Sequence, residues 1–416
     1  MRVFKFGGAS VKDANGVRNV IKVLERVGHN NTLIIVSAMG KMTNAFEVVI
    51  DKYFNEPSQL QSKINEIITF HETILLELFE NKEHIVFKAV NGLFEELNSL
   101  LKTNKSPDYS FVYDQVIGFG ELVSTTIMSY YLNEKGFKNN WLDVRNCIKT
   151  DNYYRRANVN WDTTQQNITN IVDKKTLYIT QGFLGSDSNN FTTTLGREGS
   201  DYTAAIFAYC LNADSVTIWK DVPGVLNGDP RVFNNTKLLD TISYTEAIEL
   251  AFYGASVIHP KTLQPLQQKE IPLHVKSFLN PENAGTTVNK TKGIFPKVPC
   301  FILKKNQVLL SLSTLDFSYV VEENISEIFN LLAFYKMKVD VIQNSAISFS
   351  VCFDDTYNNL EKLLLHLKAK FKVTCHDNVS LYTIRHYNDA AITALEKDKT
   401  VLLKQLFQET IQIVTK

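Results

Sequence analysis

The chain has 416 residues, about three times the size of an ordinary domain, so two or three domains are expected. Its 44 Lys and Arg balance 44 Asp and Glu; a formal charge of zero argues against partners held mainly by field, namely nucleic acid, anionic membranes and polyanions. With 44% hydrophobic and 21% charged residues it can bury large cores, which excludes a disordered or fibrous protein.

The opening Met1-Arg-Val-Phe-Lys-Phe-Gly-Gly has too short an apolar stretch for a signal sequence, and no run of about eighteen apolar residues predicts a membrane span. Five scattered cysteines without a CxxC pair fit reduced thiols in a cytoplasm, and neither a disulfide framework nor a zinc site.

The first forty residues alternate as a βαβ unit: strand Val3–Phe6, turn Gly7-Gly8, a helical pattern from Asp13 to Val27, and an apolar strand from Thr32 to Ser37. Between Pro57 and Lys102 leucines and isoleucines recur at helical spacing, which predicts a helical hairpin inserted into the α/β body. Alternation then resumes with strands at 140–144, 176–179 and 215–219 and helices at 201–211 and 244–253, giving one layered α/β domain to about residue 290. Beyond Pro296 the order is βαββαβ, with strands at 309–314, 339–343, 347–353 and 372–375 and helices at 323–335 and 357–369, a split βαβ sandwich of ferredoxin type. A strand at 380–387, a helix at 390–407 and a strand at 411–414 read as the first half of another such unit.

Three constellations carry chemistry. Lys5-Phe-Gly-Gly-Ala-Ser10 puts a lysine at a strand end, two glycines in the turn and a hydroxyl where a helix begins. A phosphate fits such a place, although a Gly-Gly turn also serves plain topology. Gln181-Gly-Phe-Leu-Gly185 followed by Thr192-Thr-Thr-Leu-Gly-Arg-Glu-Gly-Ser-Asp-Tyr-Thr-Ala204 is denser, and Arg197 in it offers a planar fork for a carboxylate or phosphate. The stretch from Trp219 to Arg231 ends a buried strand with Lys220 and Asp221, where cations could meet polyphosphate and an acid a ribose hydroxyl or an amine; a surface turn with incidental charges remains an equal reading.

KFGGAS, SAMGKMTN, GFGELVST, TTTLGREGSDYTAA, DVPGV..GDPR and GASVIHPKTL occur in this order, and together they resemble the aspartate kinases of the amino acid kinase superfamily. The resemblance covers nearly the whole chain and implies an amino acid kinase-like αβα sandwich with a helical insertion, followed by α+β ferredoxin-like ACT regulatory domains, the second incomplete. It implies a catalytic domain over 1–290, an ACT-like domain over 300–378, and a partial second unit over 379–416 that includes strand 301–304. The activity implied is ATP-dependent phosphorylation of the L-aspartate side-chain carboxylate, the first step of lysine, threonine and methionine biosynthesis. A different acceptor on the same fold, or an inactive ACT-type amino-acid sensor, are the alternatives; Lys5, Glu121, Arg197 and Asp201 speak against the sensor.

By position, the resemblance places Lys5 on the transferring phosphoryl group, with Gly7, Gly8 and Ser10 as a backbone cradle. Thr43, Glu121, Arg197 and Ser200 would hold aspartate, Glu121 facing its ammonium and Arg197 its α-carboxylate. Asp201 would orient Lys5. Lys220, Asp221, Leu226, Arg231, Ser256 and Val257 would line the ATP site, with Mg²⁺ accompanying the nucleotide and no protein metal ligand assigned. The nucleophile is already ionised, so no general base is needed, and His259 is expected to be structural near a helix end. Lys220, Leu226 and Ser256 depart from the family's usual threonine, tyrosine and lysine, and Lys220 is expected to replace the cation missing at 256. In the regulatory part Val339-Asp340-Val341 and Ser345 survive, but Ala346 stands where the family has glutamate and Glu323-Asn324 replaces Gly-Phe, which weakens the expectation of lysine inhibition. A homodimer through ACT domains, an amino-acid effector there and a cytoplasmic setting complete the expectations.

Overall fold

The computed structural model describes residues 1–255, 258–316 and 318–416. The chain divides into two compact units, one of Met1–Val225, Leu238–Ile248 and Val257–Ile294, the other of Leu226–Lys237, Glu249–Ser256 and Phe295–Lys416. Among the described residues no helix is long and apolar enough to cross a membrane.

The first unit opens with strand β1 (Arg2–Phe6), a single 3-10 turn at Gly8–Val11 and helix α1 (Ala14–Val27). Asp13 caps that helix, its carboxylate accepting the Gly16 N–H at 2.8 Å, a contact typically worth about 1 kcal/mol. Strand β2 (Thr32–Val36) is buried throughout, as expected of a strand covered on both faces. Helices α2 (Met42–Asn55), α3 (Pro57–Leu78), α4 (Ile85–Thr103), α5 (Tyr109–Ile117) and α6 (Phe119–Glu134) follow. Helices α3 and α4 are the helical pair expected from the leucine and isoleucine spacing; they bury Ile64, Ile67, Leu75, Val90, Phe94 and Leu97 in the main apolar cluster.

The rest of the unit contains β3 (Asn140–Leu142), α7 (Trp161–Ile171), β4 (Tyr178–Gln181), β5 (Leu184–Ser186), β6 (Thr192–Thr194), α8 (Gly199–Leu211) and β7 (Ser215–Lys220). Next come β8 (Thr241–Ser243), α9 (Tyr244–Tyr253), whose residues from Glu249 on count with the second unit, α10 (Pro260–Gln268), β9 (Leu273–Ser277), β10 (Thr286–Asn289) and β11 (Ile294–Phe295), at the boundary of the two. Among the described residues one nine-stranded sheet runs β11-β8-β10-β9-β7-β1-β2-β4-β3. Strands β9, β7, β1, β2, β4 and β3 are mutually parallel, so Lys5, Val36, Gln181 and Lys220 all finish at the same edge. In open α/β sheets that carboxyl edge is where ligands bind.

The second unit has strand β12 (Cys300–Thr314), helix α11 (Glu322–Phe334), β13 (Lys338–Asn344), β14 (Phe349–Asp354), helix α12 (Leu360–Lys368), β15 (Phe371–Arg385), helix α13 (Asp389–Glu396), β16 (Val401–Phe407) and β17 (Thr410–Thr415). Segments expected to be separate strands, 301–304 and 309–314, are one strand; so are 372–375 and 380–387. Both run through a bulge near Gln307, where Asn306 takes φ 57°, and a single six-stranded sheet β13-β14-β12-β15-β17-β16 results. The helix expected over 390–407 stops at Glu396. Asp398 turns to φ 61°, and Val401–Phe407 then pairs antiparallel with Thr410–Thr415 across a tight turn at Gln408-Glu409. The final segment thus has one more strand than expected, because V-L-L-K-Q-L-F satisfies strand alternation as readily as helical spacing.

Strand β4 and helix α8 touch where the site will form. A Cβ placed on Gly182, just past β4, would lie 2.8 Å from the Ser200 Cα, and one on Gly199 would lie 2.6 Å from the Phe183 ring. Only glycine permits that approach, which sets the first turn of α8 against the sheet edge. Gly182→Ala is expected to destabilise the fold by about 1–3 kcal/mol through overpacking, read as a lower midpoint in urea unfolding; an unchanged midpoint would contradict the tight contact.

Candidate active site

The carboxyl edge of the parallel sheet opens into a cavity of about 490 Å³ lined by residues from β1, β7, four helices and four loops. Lys5 is the last residue but one of β1 and Asp201 lies in the first turn of α8; the Lys5 ammonium stands 2.7 Å from one Asp201 carboxylate oxygen, and the Lys220 ammonium 3.9 Å from the other. The Asp201 side chain is 4% exposed and that of Lys5 is 12% exposed, so the pair is largely screened from water. In such surroundings each charge acts over a longer range than at the surface, and a lone Asp201 would be costly; two lysines around one carboxylate leave net positive charge at the strand ends.

Gly7 is in contact with this group: a Cβ there would come within 3.3 Å of the Lys5 nitrogen. Gly8 meets the next loop, where a Cβ would lie 2.7 Å from the Gly40 carbonyl oxygen, and the Gly40 N–H donates to the Gly8 carbonyl at 3.0 Å. The KFGGAS and SAMGK segments are interlocked through backbone, which is why both need glycine.

Glu121 begins α6 and is 2% exposed. One carboxylate oxygen accepts the Ala38 N–H at 3.2 Å, and the other has no hydrogen-bond partner among the described residues. Burial pushes its pKa up to about 8, against the opposing pull of the Ala38 N–H and the Lys5 charge. An acid with one buried oxygen unsatisfied has room for a cationic donor.

Seven residues singled out from the sequence line the cavity together: Lys5, Thr43, Glu121, Arg197, Ser200, Asp201 and Lys220. Gly7, Gly8, Ser10 and Asp221 flank the strand ends without lining it. Ser10 is buried and donates its hydroxyl to the Trp219 carbonyl at 3.4 Å. Leu226 and Arg231 belong to the second unit, where Arg231 is exposed and forks onto Asp229 at 2.6 and 3.0 Å. Ser256 and Val257 lie outside the described residues. His259 caps α10, its Nδ1 accepting the Lys261 N–H at 3.2 Å.

Seven further lining residues were not singled out: Ser37, Phe183, Gly196, Glu198 and Gly199 stood inside quoted motifs, and Tyr113 and Arg155 stood in none. Ser37 was within reach, since it opens the SAMGKMTN motif. Arg155 carried no signal, standing in a tyrosine- and arginine-rich turn that matches no phosphate or carboxylate pattern.

Comparisons with known proteins place the chain in a family. The model of the amino acid kinase family matches residues 1–277. Lysine-sensitive aspartokinase 3 of Escherichia coli is 32% identical over 400 residues, covering 92% of this chain and 86% of that one. Two crystal structures of E. coli aspartokinase III superpose on the whole chain: one in complex with lysine and aspartate (TM-score 0.83, 29% identity, 95% of that chain), one in complex with aspartate and ADP (TM-score 0.81, 28% identity, 96% of that chain). A sheet edge carrying two lysines on one aspartate, with a buried glutamate beside them, joined to the family match, leads to one conclusion: the chain belongs to the amino acid kinase family and, within it, to the aspartokinases.

Proposed function

We propose that this chain transfers the γ-phosphoryl group of ATP to the side-chain carboxylate of L-aspartate, giving 4-phospho-L-aspartate for lysine, threonine and methionine biosynthesis. The observation that carries the reading is the Lys5–Asp201–Lys220 cluster beside the unsatisfied Glu121 oxygen. The acceptor carboxylate attacks as it stands, so the side chains have to bring two anions together and neutralise charge spread over a loose transition state. Lys5 and Lys220 do the second task, and Asp201 fixes both ammonium groups in place. Gly7, Gly8 and Ser10 supply the backbone cradle for phosphate, and Asp221 stands beside the nucleotide. Beside them in the same cavity Glu121 takes the substrate's ammonium, Arg197 its α-carboxylate, and Thr43 and Ser200 offer hydroxyls.

Magnesium fits here as a companion of the nucleotide. Mg²⁺ usually keeps several waters and binds substrate phosphates with one or two carboxylates, and Asp201 is already shared by two lysines. The ion would supply charge neutralisation across the β- and γ-phosphates, while the lysines hold the transferred group. Lys220 takes the place of the family's cation at 256.

The ACT-like region is the natural site of homodimerisation: its sheet ends in β13 and β16, and unpaired strand edges call for a partner. Buried free thiols such as Cys147 and Cys210 suit a cytoplasmic enzyme. Weak lysine sensitivity follows from two features. Ala346 lacks a carboxylate, and Asp340, in the surviving Val-Asp-Val strand, is already paired with Lys304 at 2.7 Å.

Three outcomes check this reading. Hydroxylamine trapping with ATP, Mg²⁺ and a panel of acceptors should give hydroxamate with aspartate and little with glutamate, acetylglutamate or carbamate; product from another acceptor alone would overturn it. The KM for aspartate should fall by up to about tenfold per pH unit as pH rises towards 8 and level off above, because Glu121 must lose its proton before pairing with an ammonium; a flat KM from pH 6 to 9 would contradict that role. Lysine should inhibit about 5–150-fold more weakly than it inhibits the lysine-sensitive relative, the equivalent of one lost charged hydrogen bond; equal inhibition constants would refute it.

A further inference from the structure

Arg155 lines the same cavity as Arg197, and among the described residues neither forms an ion pair with a carboxylate. Its backbone has φ 68°, the left-handed region that favours glycine and costs an arginine about 1–2 kcal/mol. That conformation is held in place. The Arg155 N–H donates at 2.9 Å to Asp114, a fully buried carboxylate that also accepts the Thr194 N–H at 2.9 Å and the Thr194 hydroxyl at 2.8 Å. The next turn is tied down too, the Ala157 N–H donating to the Thr194 carbonyl at 2.9 Å. On its other side the Arg155 carbonyl lies against Gly196, the residue before Arg197. The two guanidinium groups are therefore carried on adjoining walls.

The Arg155 guanidinium rests over the Tyr113 ring, 4.4 Å from its centre, and 5.7 Å from that of Tyr109. Tyr113 is itself fixed, donating its hydroxyl to Glu47 at 2.9 Å. Stacking of this kind is weak at an exposed site, so a carboxylate would readily draw the cation away. Arginine forks match a carboxylate in two parallel hydrogen bonds, and long side chains reach several ångströms by rotation alone.

We propose that Arg155 is a specificity-determining residue of the acceptor pocket: it leaves Tyr113 to clamp the acceptor's α-carboxylate together with Arg197. This rests on the aspartate kinase reading above and sharpens it. The side-chain carboxylate is the wrong target, since a guanidinium there would hold the lone pairs that attack phosphorus. Nucleotide phosphate is the wrong one too. Arg155 is anchored through Asp114 and Tyr113 to α5, the helix that leads directly into α6 and Glu121, whereas the strand ends bearing Lys5 and Lys220 face the phosphate.

The test compares L-aspartate with its α-amide, which keeps the attacking carboxylate and loses the anion Arg155 would clamp. Arg155→Gly suits the backbone and should fold; Arg155→Lys keeps the charge without the fork. In Arg155→Gly the KM for aspartate should rise about tenfold or more with kcat within about twofold, the KM for the α-amide and for ATP should not move, and the preference for aspartate over the amide should shrink accordingly. Arg155→Lys should recover part of that preference. An unchanged KM for aspartate, or a rise in the KM for ATP instead, would overturn the role of Arg155 while leaving the kinase reading standing. A wild-type protein that phosphorylates no carboxylate acceptor would remove both.

Discussion

One shared carboxylate organises the active end of the first unit. Asp201 lies between Lys5 from β1 and Lys220 from β7, two neighbouring parallel strands, and is itself carried by the first turn of α8. Burying such a group is expensive on its own, because each ion gives up water and the attraction only partly offsets the loss. Its presence is better understood through what the cations do next. With Lys5 2.7 Å and Lys220 3.9 Å from Asp201, the proposed function has both ammonium groups in place before any phosphate arrives, so little reorganisation is left for the reaction step.

The fold serves that cluster through close backbone approach. The parallel strands bring their carboxyl ends to a single edge, and three glycine contacts, Gly8 on the 38–40 loop, Gly182 on Ser200 and Gly199 on Phe183, let the loops and α8 come nearer than any side chain would permit. The part of the cavity around Glu121 is built differently, from helices. There the buried Glu121 is kept mostly protonated at neutral pH, and Asp114, its own pKa raised by burial to about 6, ties the 155 turn to the β6 threonines. On the proposed function the strand ends present positive charge, and Glu121 beside them presents an acid for the substrate's ammonium.

Much of this was legible in the sequence. Lys5, Glu121, Arg197 and Asp201 stood in ordered glycine-rich motifs whose spacing specifies strand ends and helix starts, and they line one cavity. Arg155 was not legible, since its place depends on a left-handed turn and a buried aspartate forty-one residues away in the chain, which no local pattern reveals. In the second unit the reading broke where strands outran their apolar stretches: Lys304-Lys305-Asn306-Gln307 looks like a loop, yet β12 passes through it with a bulge. Likewise Val401–Phe407 is a strand because it pairs with β17, a long-range partner that its own composition does not announce.

The most direct test of the central claim is the turnover of an Asp201→Asn variant with ATP and aspartate. The amide keeps the shape and removes the charge that holds both lysines, so kcat should fall by about a hundredfold or more while the KM for aspartate changes little. A variant turning over at the wild-type rate would contradict the account, since the two lysines would then be in position without the carboxylate between them.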